Sequence, residues 1–404
     1  MRVFTNVKIT MFTFVIQLKH MDLNLIYNIN KAQELNGRYI TNAHIEPLLD
    51  KLKTFFKVGT PGFSVQGKPI YSIKAGAGNV RIFIWSQMHG NEATTTKALF
   101  DFFNYLQSED GFAKILLNHF TFYVLPIVNP DGAALYTRAN ANAVDLNRDS
   151  LNLTQPESIM LRKAFEDFKP HYCYNMHDQR TIFGVGDTPK PATVSFLAPS
   201  YNDAREINNV RQKAINLIVA MNNTLQEYIP GQVGRFDDSF NINCIGDMFQ
   251  SLHVPTVLFE AGHYENDYER EETRKFIFFA LLAGFKSIYE NVIAIAEIDD
   301  YFNIPQNKII FYDMIYKKVK INYENKEKFT NFASQYKEEL IDNSVIFQAF
   351  ISEIGNLDGK FGHAEIDCNG AEFTAMDGSK FPKLDEKADF FLDNGKKFVN
   401  GQEV

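Results

Sequence analysis

The sequence predicts an α/β protein with a mixed, mostly parallel central sheet, helices on both faces of that sheet, and a small β-rich domain at the C-terminus. Strand-like apolar runs alternate with segments of helical periodicity between residues 30 and about 295, which is typical of a sheet covered on both faces. From residue 298 onward, short β-like runs and glycine turns replace this alternation. A chain of 404 residues is long enough for one large domain and a smaller one.

The first predicted elements lie between residues 45 and 106. Residues 45–56 (IEPLLDKLKTFF) carry apolar side chains at helical spacing, which predicts an amphipathic helix. Residues 80–86 (VRIFIWS) are almost entirely apolar and predict a buried strand. Helical spacing returns over residues 92–106, so we expect a helix that has Glu92 in its first turn.

The next elements complete the α/β region. Residues 120–128 (FTFYVLPIV) predict a second buried strand, which the turn sequence NPDG at 129–132 ends. Residues 154–157 (TQPE) have proline in the first turn and predict the start of a helix that runs through residue 168. The remaining predictions are a strand at 171–176, a long helix at 203–228, a short strand at 255–259 and a helix at 271–289.

The C-terminal part reads as a separate β-rich region. Short β-like runs lie at 308–312, 318–322 and 344–350, and Asn394-Gly395 between two apolar runs is a typical hairpin signal. We expect a helical insert at residues 324–340. The chain therefore divides into an N-terminal extension at 1–29, an α/β domain at 30–297 and a β-rich accessory domain at 298–404.

Charge and cysteine content argue against several classes of function. The formal net charge is −8 and no basic run is present, so the sequence offers little to neutralise the phosphates of a nucleic acid. The three cysteines, Cys173, Cys244 and Cys368, are far apart and odd in number. This argues against a disulfide framework and against a cysteine-rich zinc site.

The N-terminus carries a weak targeting signal. Residues 11–18 (MFTFVIQL) form an apolar run between Lys8 and Lys19, but the run is short and no small-residue cleavage site follows it. Met21 is therefore an alternative start, with residues 1–20 an upstream extension. No other stretch reaches the roughly 18 apolar residues of a membrane span, and we expect a soluble cytoplasmic protein.

Potential metal ligands follow the predicted strands. His89 and Glu92 come directly after the strand at 80–86, and His177 comes at the end of the strand at 171–176. Ligands of α/β sheets gather beyond the carboxyl ends of the strands, so these side chains are expected to meet. A catalytic zinc ion takes three protein ligands and keeps a fourth position for water. We therefore interpret His89, Glu92 and His177 as ligands of one zinc ion per chain.

Two further carboxylates complete the predicted site. Glu260 follows the apolar strand at 255–259 and is the candidate general base, which takes a proton from the water and passes it to the leaving amine. Asp145 is expected to accept a hydrogen bond from a liganding histidine and so to fix its tautomer. The constellation predicts a zinc-dependent hydrolase of amide bonds.

Over roughly residues 60–285, these motifs resemble the zinc carboxypeptidase family, the carboxypeptidase A and D type peptidases. The family's His-x-x-Glu is matched at residues 89–92, its Asn-Pro-Asp-Gly at 129–132, and its Arg-x-x-Ala-x-Gly-Val-Asp-Leu-Asn-Arg-Asn closely at 138–149. Its third ligand and its general-base glutamate correspond to His177 and Glu260. The resemblance implies a carboxypeptidase-like catalytic domain at 30–297, a metalloprotease that needs zinc, and a peptide substrate that loses its C-terminal residue.

The resemblance also implies roles for three polar residues. Asn147 and Arg148 would bind the terminal carboxylate of the peptide, and Arg138 would stabilise the oxyanion. A guanidinium suits both tasks because it stays charged and binds oxygens in a bidentate manner.

The sequence departs from the family pattern at several positions. Ala143 and Asp149 replace a glycine and an asparagine, and no tyrosine occurs between Gly231 and Glu260, where the family carries its mobile substrate-capping tyrosine. Two alternatives stay open. The succinylglutamate desuccinylase and aspartoacylase group shares the Gly-Asn-Glu, the Asp-Leu-Asn-Arg and a C-terminal β domain, and would deacylate an N-acyl amino acid. A non-catalytic binding module that kept the fold is the other alternative.

Overall fold

The structure, a computed structural model, describes residues 21–291 and 298–404. The predicted upstream extension at 1–20, with the signal-like run inside it, lies outside these ranges. Among the helices within the described ranges, none combines the length and the apolar character that crossing a membrane requires.

One large mixed sheet forms the centre of the α/β region. Its strands and one neighbouring short strand are β1 (Lys57–Phe63), β2 (Pro69–Ala75), β3 (Val80–Ser86), β4 (Phe120–Leu125), β5 (Tyr172–Asp178), the short β6 (Phe183–Val185), β7 (Val194–Leu197), β8 (Val233–Arg235) and β9 (Thr256–Ala261). The order in the sheet is β1-β2-β4-β3-β5-β9-β7-β8. The central pairs β3–β4, β3–β5 and β5–β9 are parallel, whereas β1–β2, β2–β4 and β7–β9 are antiparallel.

Helices cover both faces of this sheet. They are α1 (Leu23–Asn30), α2 (Asn42–Leu52), α3 (Thr94–Leu106), α4 (Gly111–His119), α5 (Pro130–Leu135), α6 (Pro156–Phe168), α7 (Asn209–Gln226), α8 (Ile245–Ser251), α9 (Glu271–Glu290) and the short α10 (Ile298–Phe302). The helix predicted from residue 92 begins two residues later, so Glu92 lies in the turn before α3.

The alternation of side chains along β3 explains why the centre of its sequence is apolar at every position. Ile82 and Ile84 point into the larger core, with α3, α7 and α9, whereas Phe83 and Trp85 point into the second core, with α6 and α8. All four side chains are fully buried, because a strand covered on both faces offers no position to water.

Two smaller sheets form the C-terminal part. Their strands are β10 (Asn307–Ile309), β11 (Phe311–Tyr323), β12 (Lys326–Ile341), β13 (Ser344–Gly355), β14 (Phe361–Asp367), β15 (Phe373–Ala375), β16 (Phe390–Leu392), β17 (Lys397–Val399) and β18 (Gln402–Glu403). The orders are β13-β12-β11-β14 and β15-β16-β17-β18, and β10 pairs with β6 instead. With the large mixed sheet between helices and these C-terminal sheets, the predicted fold class is confirmed.

The helical insert predicted at residues 324–340 is wrong. This segment is the strand β12, which pairs antiparallel with β11 on one side and with β13 on the other. Glu324 and Asn325 both have positive φ angles, 53° and 61°, as in the two-residue turns that join hairpin strands. Pairing on both sides therefore overrides the helical preference of the lysines and glutamates in the segment.

Candidate active site

The four predicted zinc-binding and general-base residues lie at one edge of the central sheet. His177 in β5 is the direct register partner of Glu260 in β9. His89 and Glu92 lie in the turn between β3 and α3. Since β3, β5 and β9 are parallel neighbours, their carboxyl ends bring all four side chains to the same place.

The three predicted ligands converge to hydrogen-bond distances. Nδ1 of His89 lies 2.8 Å from Oε1 of Glu92, and Nδ1 of His177 lies 2.8 Å from Oε2 of the same carboxylate. The two Nδ1 atoms are 3.1 Å apart. One ligand atom from each residue can be chosen so that all three lie within 4.8 Å of one another. Two imidazole nitrogens and a carboxylate oxygen in this arrangement fit a divalent cation such as zinc.

Close backbone packing fixes the turn that carries His89 and Glu92. A Cβ atom built on Gly90 would collide with the backbone of Gly132, so this approach requires glycine. The side chain of Asn129 accepts from the amide of Gly132 (2.8 Å) and donates to the carbonyl of Met88 (3.2 Å). Residues 129–132 therefore pack against the turn that carries His89 and Glu92, and they are not among the residues that line the cleft.

Asp145 and Arg138 contact two of the predicted ligands, His89 and Glu92. Oδ1 of Asp145 lies 3.0 Å from Nε2 of His89, which is the pairing expected from the sequence. Arg138 donates from Nε to Oδ2 of Asp145 at 3.0 Å and from Nη1 to Oε1 of Glu92 at 3.4 Å. Burial raises the pKa of Asp145, but its hydrogen bond to His89 and the charge of Arg138 outweigh burial and hold that pKa below its usual range.

Glu260 has the environment of a reactive carboxyl group. Its Oε2 atom is buried and has no hydrogen-bond partner. Burial, together with the charges of Glu92 and Asp178, raises the pKa of Glu260 well above its usual range. A nearby cation would reverse this effect, because it favours the ionised form.

A cleft with a volume of about 880 Å³ is lined by His89, Glu92, Arg138, His177 and Glu260. Asn147 and Arg148 line it as well. The Asn147 side chain accepts a hydrogen bond from the amide of Ile245 at 2.9 Å, which joins it to the start of α8. Arg148 donates to the Asn147 carbonyl (2.7 Å) and contacts the sulfur of Cys244 (3.2 Å). No carboxylate pairs with Arg148 within the described ranges, so its charge is available to a ligand.

Several residues that line the cleft were not predicted from the sequence, among them Arg38, Arg270, Tyr336 and Glu338. Arg270 is 1% exposed and donates to the carbonyl of Ala261 at 2.6 Å. Arg38 precedes the helix expected at 45–56, and Tyr336 and Glu338 belong to the mispredicted strand. Sequence periodicity carries no signal that would join these distant segments.

Comparison with known proteins agrees with this geometry. Residues 41–212 match the family model of zinc carboxypeptidases. Carboxypeptidase 2 of Trichophyton tonsurans is 29% identical over 135 residues, which is 33% of this chain and 25% of that protein. Carboxypeptidase SOL1 of Arabidopsis thaliana is 27% identical over 163 residues, 34% of this chain and 32% of that protein. The chain thus spans a quarter to a third of the length of these relatives.

The fold has counterparts among solved structures. A metallo-carboxypeptidase from Burkholderia cenocepacia matches with a TM-score of 0.51 and 16% identity, covering 62% of this chain and 70% of that one. At this identity the similarity concerns the fold alone. The resemblance inferred from the motifs is confirmed by the family match and by the curated relatives.

Proposed function

Because residues 41–212 match the family model of zinc carboxypeptidases, we propose that the protein is a zinc-dependent metallocarboxypeptidase that removes the C-terminal residue of a peptide. The main support is the convergence of His89, Glu92 and His177 beside Glu260 in one cleft. A non-catalytic binding module would not need this complete set of ligands and base.

The donor set suits zinc, and we propose His89, Glu92 and His177 as its ligands. When bound, zinc lowers the pKa of a water ligand to about 7 and polarises a carbonyl group. The contact between Asp145 and Nε2 of His89 keeps Nδ1 of that ring directed at Glu92 and His177. The protein thus orients the ring before the ion arrives.

The other residues of the cleft bind the substrate and move the proton. Arg148, with Asn147 beside it, binds the terminal carboxylate, because its guanidinium lacks a carboxylate partner of its own within the described ranges. Glu260 takes a proton from the attacking water and donates it to the leaving amine. Arg138 lies next to Glu92, where its positive charge stabilises the oxyanion that develops on the carbonyl.

Replacement of Glu260 by glutamine tests this proposal. We expect Glu260→Gln to retain zinc, because Glu260 is not among the proposed ligands, and to lower peptide turnover about 10²–10⁴-fold, the usual contribution of a general base. Metal analysis of the purified protein and release of the C-terminal amino acid are the two measurements. Glu265→Gln, at an exposed position, is the matched control. Undiminished turnover in Glu260→Gln would exclude the proposed role.

Deacylation of an N-acyl amino acid is the second candidate. It is favoured by the presence of C-terminal residues such as Tyr336 and Glu338 in the wall of the cleft, since they restrict the room on the acyl side. Incubation of the zinc-loaded protein with a peptide library and with a panel of N-acyl amino acids separates the two reactions by their products.

A further inference from the structure

The strand β12 crosses the rim of the cleft between two loops of the α/β region. Within β12, Gln335 donates to Oγ1 of Thr181 at 2.9 Å, four residues after His177. Three residues further along the same strand, Glu338 accepts a hydrogen bond from the hydroxyl of Tyr136 at 2.5 Å. Residues 336 and 337, which lie between these two contacts, line the cleft.

Glu338 also forms an ion pair with Arg38, although its own side chain remains 25% exposed. Nη2 of Arg38 lies 3.1 Å from Oε1 of Glu338, and Arg38 is only 4% exposed. Burial raises the pKa of Glu338, but the charges of Arg38 and Arg270 outweigh burial and hold that pKa below its usual range. Because removal of one partner would leave the other charge buried and uncompensated, this contact is not easily opened.

Further contacts join the C-terminal sheets to the α/β region near the cleft. The ring of Tyr336 packs edge-on against Tyr268 at 5.1 Å between centroids, and the hydroxyl of Tyr268 donates to Asp313 in β11 at 2.9 Å. Nε2 of His363 in β14 lies 2.8 Å from the carbonyl of Thr181. The pairing of β10 with β6 adds main-chain hydrogen bonds between the same two parts. Contacts from β10, β11, β12 and β14 therefore all join the C-terminal sheets to the α/β region at this cleft.

Different parts of the chain line the cleft. Asn147 and Arg148, the proposed carboxylate-binding residues, contact Ile245 and Cys244 at the start of α8. β12 contacts the loops that follow α5 and β5, and the four residues 335–338 span about 10 Å of extended chain. A volume of about 880 Å³ falls within the range of roughly 300–1,000 Å³ that holds one drug-sized ligand.

We propose that β12 limits the length of the substrate, so that the protein acts on short peptides and not on the C-termini of long polypeptides. This inference rests on the proposed carboxypeptidase function and specifies the substrate class of the same site. The C-terminal residue of the substrate binds near Arg148, and the preceding residues extend toward β12. Tyr336 and its neighbours then leave room for only a few of them.

A peptide ladder tests the length limit. Peptides of two to eight residues that share the C-terminal dipeptide preferred by the zinc-loaded enzyme are compared by kcat/KM for release of the last amino acid. We expect kcat/KM to be highest at about three or four residues, the size of a ligand that fills such a cleft, and to fall at least tenfold by eight. Equal kcat/KM for the short peptides and the octapeptide overturns the inference, whereas no hydrolysis of any peptide contradicts the carboxypeptidase function itself.

A substitution in β12 tests whether this strand sets the limit on substrate length. In Tyr336→Ala the ratio of kcat/KM for the octapeptide to that for the tripeptide should rise at least fivefold, since the ring no longer narrows the cleft. Tyr323→Ala, at the exposed end of β11, is the matched control and should leave the ratio unchanged. If the alanine variant does not fold, Tyr336→Leu replaces it. An unchanged ratio in a folded variant overturns the role of β12.

Discussion

Neighbouring side chains orient the ring of His89, one of the three proposed zinc ligands. Its Nε2 atom is occupied by Asp145, which in turn accepts from Arg138 at 3.0 Å. The other ring nitrogen, Nδ1, therefore faces Glu92 and His177. Asp145 touches no proposed substrate atom in this scheme and acts as a positioning residue.

Replacement of this carboxylate should weaken metal binding without removing a ligand. We expect Asp145→Asn to lower the affinity for zinc about 10–100-fold, because an amide supports the imidazole less well than a carboxylate does. Competition with a chromogenic chelator at neutral pH measures the affinity. Asp203→Asn, at an exposed position, serves as the control, and an unchanged affinity in Asp145→Asn would contradict the positioning role.

The convergence of His89, Glu92, His177 and Glu260 could be predicted because each follows an apolar run whose end the sequence defines. Parallel strand order then places these ends together. The contact between Arg38 and Glu338 could not be predicted in this way, since it joins residues 300 positions apart and Glu338 lies in the segment that was predicted as a helix.

The turn between β3 and α3 depends on close contact with the start of α5 at residues 129–132. A side chain on Gly90 would collide with the backbone of Gly132, whereas nothing lies within 4 Å of a Cβ built on Gly111 at the start of α4. The two glycines therefore differ in what surrounds them, although both lie near the beginning of a helix. At Gly90 the collision with the Gly132 backbone, and not helix propensity, sets the free-energy cost of adding a side chain.

An alanine at each position tests this difference. Gly90→Ala should destabilise the protein by about 1–3 kcal/mol, the typical cost of overpacking, and should lower zinc affinity because the ligand turn must shift. Gly111→Ala should be neutral or stabilise slightly, since it only reduces backbone freedom. Chemical unfolding and zinc titration of both variants are the measurements. Equal stability of the two variants would show that the turn adapts.

Among the elements, β12 is the one that sequence reasoning misassigned. Its lysines and glutamates favour a helix in isolation, and Glu324-Asn325 lacks the Asn-Gly or Asp-Gly signal of a tight hairpin. The buried strands of the α/β region were recognisable because both of their faces are covered. β12 is buried only near its centre and is more exposed toward both ends, so its sequence gives no comparable signal.

At the scale of the whole molecule, the α/β region and the C-terminal sheets meet at two histidines. The rings of His263 and His363 lie 4.0 Å apart, and neither ring nitrogen of His263 has a hydrogen-bond partner. His363 contacts the carbonyl of Thr181. Burial lowers the pKa of His363 from 6.5 to about 4, and burial and the charge of His363 lower that of His263 as well.

This interface should weaken in mild acid. Between pH 6.5 and pH 4 the unfolded chain binds a proton at His363 that the folded chain does not, so stability falls as the pH decreases through this window. Relative to His363→Asn, which cannot titrate, the wild-type protein should lose about 2 kcal/mol of unfolding free energy between pH 7 and pH 4.5. Groups present in both proteins, such as Asp313, whose pKa burial raises to about 6, contribute to both unfolding free energies and drop out of their difference.

Urea unfolding of both proteins at pH 7, 5.5 and 4.5 measures this difference. A difference in stability that does not change with pH would show that His363 titrates normally in the folded state.

The fold class could be predicted because alternating strands and helices define it, and the presence of C-terminal β structure followed from the glycine turns. The boundaries at residues 29 and 297 remain predictions. The placement of the C-terminal sheets against the cleft could not be predicted, because it depends on side-chain pairs such as Gln335 and Thr181 that belong to no local pattern.

The ion pair of Arg38 and Glu338 has a consequence for how this polypeptide can be divided. A gene fragment ending near residue 297 would lack Glu338, the carboxylate that pairs with the Arg38 guanidinium at 3.1 Å. It would also lack Tyr336 and Lys337, which line the same cleft. The β-rich region is therefore part of the cleft and not an independent attachment to the α/β region.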